Sequence, residues 1–464
     1  MRILKSRPTL FKFCCSVIIL KLGNLKPNLS PILNRANLSN SYSTSTGNNP
    51  NSTFLQRLDP NFIEWFVGFS DAEGSFGFLK SKSKNTYVFS FRIALHIDDL
   101  EVLNYIKDNL GLGIVSSRGK ICVLVVCKLS DIKYIIEIFE LRPLNTTKHL
   151  NFISFKEAYT LYTNSEFNEE LVNKLEQLRS GVNSKRIDFN LPADHEYSIT
   201  PNWLLGFTEG DGSFFVTTTG LGLNFTLTQA GTDLDLMEKI ADFFNNLAAR
   251  PRQRAQAVDV SFKSNSQENP AKVYKYKELS LQPKKECDLK ISSVDYIRDN
   301  LIPFFSGLTW HTKKHLDFLD WTAILKLKDL GLHYSDEGVE LIQKIMSQMN
   351  SKRLSSQDLP KIDRDSLELE ISEILNNANS SNYEIREGRV WIKSLNRFQS
   401  QFKSVPIKLF DSEGNLLATY PSLLKCSREM GILRHTLMYR LKNNNTFDYK
   451  GKLVYLKKEQ KNQS

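Results

Sequence analysis

Trp65-Phe-Val-Gly68-Phe69-Ser-Asp71-Ala72-Glu73-Gly74-Ser75-Phe76 and Trp203-Leu-Leu-Gly206-Phe207-Thr-Glu209-Gly210-Asp211-Gly212-Ser213-Phe214 stand 138 residues apart and follow one pattern. Each is an apolar run that ends in two acids and a glycine. A carboxylate at the end of an otherwise apolar helix is costly to bury without a partner or a metal, so two of them in matched frames point to one composite site with a metal between them. Asp59-Pro60 and Thr200-Pro201 put a capping oxygen ahead of a proline, which predicts a helix start at each. Gly74 and Gly212 predict left-handed caps at the far ends. Small residues four apart, Gly68 with Ala72 and Gly206 with Gly210, share one face on which two helix backbones can approach closely. Packed on that face, the helices bring Glu73 and Asp211 out side by side.

The duplication extends outward from the motif. Lys148-His-Leu-Asn-Phe152 recurs as Lys314-His-Leu-Asp-Phe318, and Asn183-Ser-Lys-Arg186 as Asn350-Ser-Lys-Arg353. Three markers in one order define a repeat. Their offsets of 138, 166 and 167 place an insertion of about 28 residues in the second copy, near Ala249 to Ala271. After each motif the period changes to two: odd positions of Tyr87 to Ile97 are apolar while Ser90, Arg92 and His96 fall on the other face, and Leu223 to Thr228 repeats this with Asn224, Thr226 and Thr228 outward. The expected class is α+β, each copy a helix, antiparallel hairpins and further helices, with one sheet face covered and one free. Amphipathic helices are expected near Asp99 to Asn109, Asp131 to Phe139, Leu234 to Asn245 and Gly338 to Met349. The divisions are a basic leader (1–57), repeat 1 (58–186), a linker (187–197), repeat 2 (198–353), an acidic helical linker (354–404) and a C-terminal module (405–464).

At 464 residues and 41 % apolar, the chain is long enough for more than one domain. Its net charge of +10 is unevenly placed: residues 1–58 carry eight Lys/Arg and no acid, residues 405–464 carry eleven against five, and the middle is left at −4. Any basic surface in the central region is therefore local. The six cysteines show no zinc spacing and read as reduced structural thiols, with Cys122 and Cys127 as core residues of one apolar run. The apolar run Cys14 to Leu20 is far too short to cross a membrane, so no membrane partner is expected. The acid-free leader, Ser/Asn/Thr-rich from Asn34 to Thr53, has the composition of a mitochondrial presequence or of a disordered basic segment, outside the fold in either case.

Beyond the repeats, Ile407 to Tyr420 predicts a hairpin turning at Asp411 to Gly414. Ser422 to Met430, a turn at Gly431, and Arg434 to Leu441 then predict a helix-turn-helix. Arg434, His435, Thr436, Tyr439 and Arg440 fall on the exposed face of its second helix, and Leu437 and Leu441 inward. The local positive charge suits a nucleic acid.

The paired motifs resemble those of the LAGLIDADG homing endonucleases in their single-chain, double-motif form, over about residues 58 to 353. The C-terminal segment resembles the small helix-turn-helix repeat appended to intron-encoded nucleases. The resemblance implies two αββαββα halves about a pseudo-twofold axis in a monomer, their sheets forming a saddle in the major groove of a long asymmetric double-stranded DNA target. It implies that Glu73 and Asp211 bind divalent metal, Mg²⁺ or Mn²⁺, as the catalytic pair, with Lys148 and Lys314 beside it to polarise water or offset phosphate charge. Asp71 and Glu209 are expected to cap or to bond across the helix interface, and His149 and His315 to be structural. Arg92 and Thr226 match positions near the site's water network. Outward strand residues Ser90, Arg92, His96, Asn224, Thr226, Gln229, Lys275 and Lys277 are candidates for base-edge or phosphate contact. Arg250, Arg252 and Arg254 of the insertion are expected either to meet phosphate or to lie in a flexible loop. The implied function is a metal-dependent, site-specific double-strand DNA endonuclease supporting intron mobility in the mitochondrion. The alternatives are an intron RNA maturase on the same saddle, or a non-catalytic DNA-binding regulator that leaves the paired acids without a role.

Overall fold

The computed structural model describes residues 53–81, 86–183, 186–247, 269–275, 286–377, 381–386, 389–399, 406–443 and 445–458. Residues 1–52 of the leader, most of the repeat-2 insertion with Arg250, Arg252 and Arg254, and Lys277 lie outside the described residues. In the first half, α1 (Pro60–Glu73), β1 (Gly74–Lys80), β2 (Tyr87–His96), α2 (Leu100–Leu110), β3 (Ile114–Arg118), β4 (Ile121–Val126) and α3 (Leu129–Leu141) are followed by α4 (Lys148–Asn164) and α5 (Glu169–Ser180). The second half repeats this as α6 (Pro201–Asp211), β5 (Gly212–Val216), β6 (Leu223–Ala230), α7 (Leu234–Leu247), β7 (Ala271–Lys275) and β8 (Glu286–Ile291). There α8 (Val294–Tyr296) runs through a π-turn, Ile297–Leu301, into α9 (Ile302–Ser306), and α10 (Lys314–Asp329) and α11 (Asp336–Ser347) close the unit. The αββαββα order of the two halves is thus present twice.

Local chemistry sets these starts. The Asp59 carboxylate accepts the Asn61 amide at 2.8 Å and the Thr200 hydroxyl accepts the Trp203 amide at 3.2 Å, each ahead of a proline in the first turn. The ends differ from the expected left-handed caps. Gly74 (φ −69°, ψ 149°) and Gly212 (φ −76°, ψ 156°) are extended, and the chain passes straight from helix into strand. Space, not handedness, requires glycine here: a Cβ would stand 2.7 Å from the Ser70 carbonyl oxygen at Gly74 and 2.6 Å from that of Thr208 at Gly212.

Both sheets are four-stranded and antiparallel, ordered β1-β2-β4-β3 and β5-β6-β8-β7. Phe76, Phe89, Phe91 and Leu124 on one covered face, and Phe214, Phe225, Leu227 and Leu289 on the other, belong to one hydrophobic core that runs through both halves. The halves join where α1 packs on α6. A Cβ at Gly68 would lie 2.0 Å from the Trp203 carbonyl oxygen, at Gly206 2.1 Å from that of Trp65, and at Gly210 2.2 Å from the Ala72 Cβ. The two backbones are in direct contact.

The three repeated markers hold one another. Asn183 donates to the Phe76 carbonyl and Asn350 to the Phe214 carbonyl, both at 2.9 Å. Asn183 (φ 57°) and Asn350 (φ 55°) both take the left-handed conformation that asparagine tolerates. Asn151 accepts the Asn183 amide at 3.0 Å and Arg186 Nε at 3.1 Å; Asp317 accepts the Asn350 amide at 2.9 Å and Arg353 Nε at 3.1 Å. The second half adds the buried Asp320, which takes Arg353 on one oxygen and Arg364 of α12 (Arg364–Asn376) on the other, each at 2.5 Å.

Several boundaries shift. Residues 53–57 belong to the fold, since Phe54 packs on Tyr134 with ring centroids 4.4 Å apart and Leu58 is buried. Among the described residues the expected helical linker is helical only in α12; β9 (Tyr383–Arg386), β10 (Arg389–Ile392) and β11 (Arg397–Phe398) then form a small antiparallel sheet, Tyr383 to Arg386 and Arg389 to Ile392 each alternating as strands do. The module beyond has its own core. Its hairpin, β12 (Ile407–Asp411) and β13 (Leu416–Tyr420), leads into α13 (Leu423–Met430) and α14 (Arg434–Asn443). Strands β14 (Phe447–Tyr449) and β15 (Lys452–Lys458) return to complete a sheet ordered β13-β12-β15-β14. The expected helix pair is thus one layer on a four-stranded sheet rather than a free-standing unit. Cys122 is buried as expected, whereas Cys127, one residue past the end of β4, is exposed. No helix among the described residues is long and apolar enough to cross a membrane.

Candidate metal centre and nucleic-acid interface

Asp71 and Glu209 lie within the helix interface and cross it. The Trp203 indole donates to Asp71 Oδ2 at 2.9 Å, and the Trp65 indole to Glu209 Oε2 at 2.6 Å. Within its own half, Asp71 accepts the amides of Asn145 and Thr146, both at 2.9 Å, and the Thr146 hydroxyl at 2.7 Å. Glu209 accepts the amides of His311 and Thr312 at 2.8 and 2.6 Å and the Thr312 hydroxyl at 3.0 Å. Burial pushes both carboxyls above their ordinary range, while these donors pull the other way. The residues so held are the loops that lead into Lys148 and Lys314.

Those lysines open α4 and α10 and turn back onto the motif helices. Lys148 Nζ donates to the Ala72 carbonyl at 2.5 Å and the Ser70 carbonyl at 3.4 Å, and Lys314 Nζ to the Gly212 carbonyl at 2.5 Å. They therefore flank Glu73 and Asp211 in the chain's geometry as well as in its repeats. Gly210 lets Glu73 pass close by, since a Cβ there would be 3.3 Å from Glu73 Cγ. Asp211 Oδ2 accepts from Gln229 Nε2 at 2.6 Å. Gln229, a candidate for base-edge or phosphate contact, is bonded to this acid. Strand register (Gly74 beside Ile93, Gly212 beside Leu227) makes Leu95 its counterpart in the first half. Among the described residues no third carboxylate, histidine or cysteine gathers with others into a metal-holding cluster. Two carboxylates fit a hard divalent cation whose remaining positions go to water and substrate phosphate, which is how such ions are commonly held.

On the open sheet faces, Arg92 is exposed and Thr226 half-buried. Ser90 and Asn224 are buried and turn back to their own hairpins, donating to the carbonyls of Gly77 (3.4 Å) and Gly222 (2.9 Å). His96 caps the turn after β2, where its Nδ1 accepts the Asp98 amide at 3.2 Å. Ser90 and Asn224 are corrections to the outward set, whereas the register leaves His96, half-buried, on the same face as Arg92. Lys275 ends β7. Sequence reasoning missed Lys272, Tyr274 and Lys290, which register places on the same face as Thr226. The signal was available: in Glu286 to Ile291 every second residue is apolar, which leaves Asp288 and Lys290 opposite. In the C-terminal module Arg434 and Tyr439 are exposed and Thr436 is half-buried, with His435 in the same helix. Arg440 lies 4.3 Å over the Phe447 ring and so is partly committed to its own sheet.

The histidines pack rather than face the acids. His149 meets His195 of the linker at 4.8 Å between ring centroids, and burial drops the His149 pKa to about 4. His311 stacks on Tyr105 at 4.2 Å and burial likewise lowers it to about 4, while His315 stacks on Trp310. The linker's His195 thus lies beside His149, and near His315 lies a cavity of about 200 Å³ lined by Asp98, Asp99, Glu101, His311 and Lys313.

The LAGLIDADG endonuclease profile matches residues 66–159, 204–278 and 268–325. With matches in both halves and the paired motif helices between them, the chain belongs to the LAGLIDADG family in its double-motif form. It is similar to the solved LAGLIDADG homing endonuclease I-GzeII in complex with its DNA target: 28 % identity, TM-score 0.50, covering 62 % of this chain and 99 % of that one. It is 23 % identical over 399 residues to the uncharacterized mitochondrial protein RF1 of Saccharomyces cerevisiae, covering 83 % of this chain and 80 % of that protein. It is 27 % identical to the probable intron-encoded endonuclease Cox1-I1b of Schizosaccharomyces pombe, over 50 % of this chain and 63 % of that one.

Proposed function

We propose that this chain is a site-specific, divalent-metal-dependent endonuclease that acts as a monomer in the mitochondrion and cuts both strands of a long DNA target at an intron insertion point. The observation that carries the reading is the end of the helix pair: Glu73 and Asp211 emerge from backbones in contact, with the Lys148 and Lys314 ammonium groups on the carbonyls beside them. Glu73 and Asp211 are the residues that would hold Mg²⁺ or Mn²⁺. When bound, such an ion supplies Lewis-acid stabilisation of the phosphate being cleaved and makes water more acidic. Lys148 and Lys314 add fixed positive charge where negative charge grows on that phosphate. Asp71 and Glu209 hold the loops that aim the lysines. Arg92, Thr226, Lys272 and Lys290 supply phosphate and base-edge contacts from the open faces. The relatives' mitochondrial and intron-encoded names support the setting.

The test is incubation of the full chain with Mg²⁺ and duplex DNA spanning the intronless junction of its host gene. A staggered double-strand break is expected. Binding of that duplex with no scission in either Mg²⁺ or Mn²⁺ sinks the reading, and excision of the host intron by a Glu73→Gln, Asp211→Asn double mutant assigns the saddle to splicing instead.

A further inference from the structure

After the central strand of each sheet comes a short 3-10 turn, Ile97–Asp99 in the first half and Gly231–Asp233 in the second. The last acid of each turn reaches into the opposite half. Asp233 Oδ1 accepts the Thr147 amide at 2.6 Å and its Oδ2 the Thr147 hydroxyl at 3.2 Å. Asp99 of the first half stands beside the start of α10, lining one cavity with Lys313, and the Lys313 backbone and ammonium favour its carboxylate. Thr147 and Lys313 are the N-cap residues of α4 and α10, one position ahead of Lys148 and Lys314, and neither makes a side-chain cap of its own. A helix start leaves amides that need an acceptor. Here the Lys148 and Lys314 amides go to Thr146 and Thr312 of their own halves, both at 3.3 Å, and the Thr147 amide just ahead of Lys148 goes to Asp233 of the other half.

Each of these two lysine helix starts therefore has an acid from either half beside it. Asp71 holds the loop of Lys148 from its own half and Asp233 from the other; Glu209 holds the loop of Lys314, with Asp99 of the first half beside Lys313. Lys148 and Asp71 are the charged groups that face Asp233, and Asp98, Lys313 and Lys314 face Asp99. We infer that Asp99 and Asp233 are positioning residues that make the lysine of each half depend on the other half, so that the two strand cuts are coupled. The inference rests on the nuclease reading for its consequence but not for its geometry. Misplacing a reacting group by about 1 Å can cost on the order of a hundredfold in rate.

The experiment uses the full chain, Mg²⁺ and a duplex labelled on either strand, with the nicking rate of each strand scored separately and Lys148→Met marking which strand Lys148 serves. Asp233→Ala is expected to slow that strand about tenfold more than the other, and Asp99→Ala to show the reverse preference. Asp233→Asn, whose side-chain oxygen still accepts the amide, restores most of the lost rate. Amide hydrogen exchange gives a second readout: Asp233→Ala should expose residues 147–150 and leave 313–316 protected, and Asp99→Ala the opposite. Equal slowing of both strands by either alanine variant, or the same strand preference in both, overturns the coupling. Where wild type nicks neither strand the nuclease reading fails, and exchange alone decides the clasp: loss of protection confined to the opposite half's helix start supports it, and unchanged exchange there overturns it.

Discussion

In the first half the motif helix ends in Glu73, the strand position matched to Gln229 is Leu95, and the open face carries exposed Leu79 and Val88 beside Arg92. In the second half the acid is Asp211 with Gln229 bonded to it, and the face carries Lys272, Tyr274 and Lys290. At the helix interface and its repeated markers three contacts recur in both copies: tryptophan to buried acid, asparagine to the phenylalanine carbonyl, glycine to the opposite backbone. The difference separates two kinds of constraint. Contacts that fix a backbone admit few solutions and recur, whereas groups on the open sheet are released from that constraint and differ.

The largest break in this pseudo-symmetry is expected from the acids. Glu73→Gln and Asp211→Asn should each lower double-strand cleavage on the order of a hundredfold or more while target binding by gel shift is retained. Undiminished cutting by both rules out the metal-site assignment. Gly206→Val comes next, because its Cβ would meet the Trp65 carbonyl at 2.1 Å. It should cost about 3 kcal/mol by denaturant melts, and a midpoint equal to wild type contradicts the close approach. Trp203→Phe and Trp65→Phe each take one donor from a buried carboxylate and should cost about 1–3 kcal/mol each. A silent change in only one half would show that the crossing bonds are unequal.

Acid sensitivity is a further probe. An unfolded histidine takes up a proton near pH 6.5 whereas buried His149 and His311 resist until about pH 4, so the unfolded state binds more protons in between. The contribution of these two histidines is therefore intact above pH 6.5 and declines as pH falls toward 4, against the opposite trend from buried Asp233, whose pKa is raised to about 6. Melting temperature against pH should show this slope, and His311→Phe should flatten it; an unaltered slope in that variant removes His311 from the account. The smallest effect is expected from Gln229→Leu, which gives the second half the first half's residue. It should slow only the strand served by Asp211, by about tenfold at most, in a strand-resolved nicking assay.

Much of this was legible in the chain. The prolines and capping oxygens fixed where α1 and α6 begin, and small residues four apart marked the face on which they meet. The glycines after the acids were misread because a left-handed cap and a crowded carbonyl ask for the same residue. Ser90 and Asn224 alternate correctly yet turn back to their own hairpins, which periodicity cannot report. Asp99 and Asp233 carried no signal, since an acid ahead of a leucine at a helix start is ordinary and its partner lies in the other half. The β9 to β11 sheet was hidden by the acids of α12, although Arg389-Val-Trp-Ile392 has a strand's alternation.

A single tether can run along only one side of a twofold axis. His195 and Tyr197 occupy the side next to His149, and the matching side by His315 keeps its cavity. A dimer of identical chains presents the same surface twice and is bound to palindromes. A chain whose two lobes are told apart by its own connecting segment has a fixed polarity, and can distinguish a target from the same target read backwards.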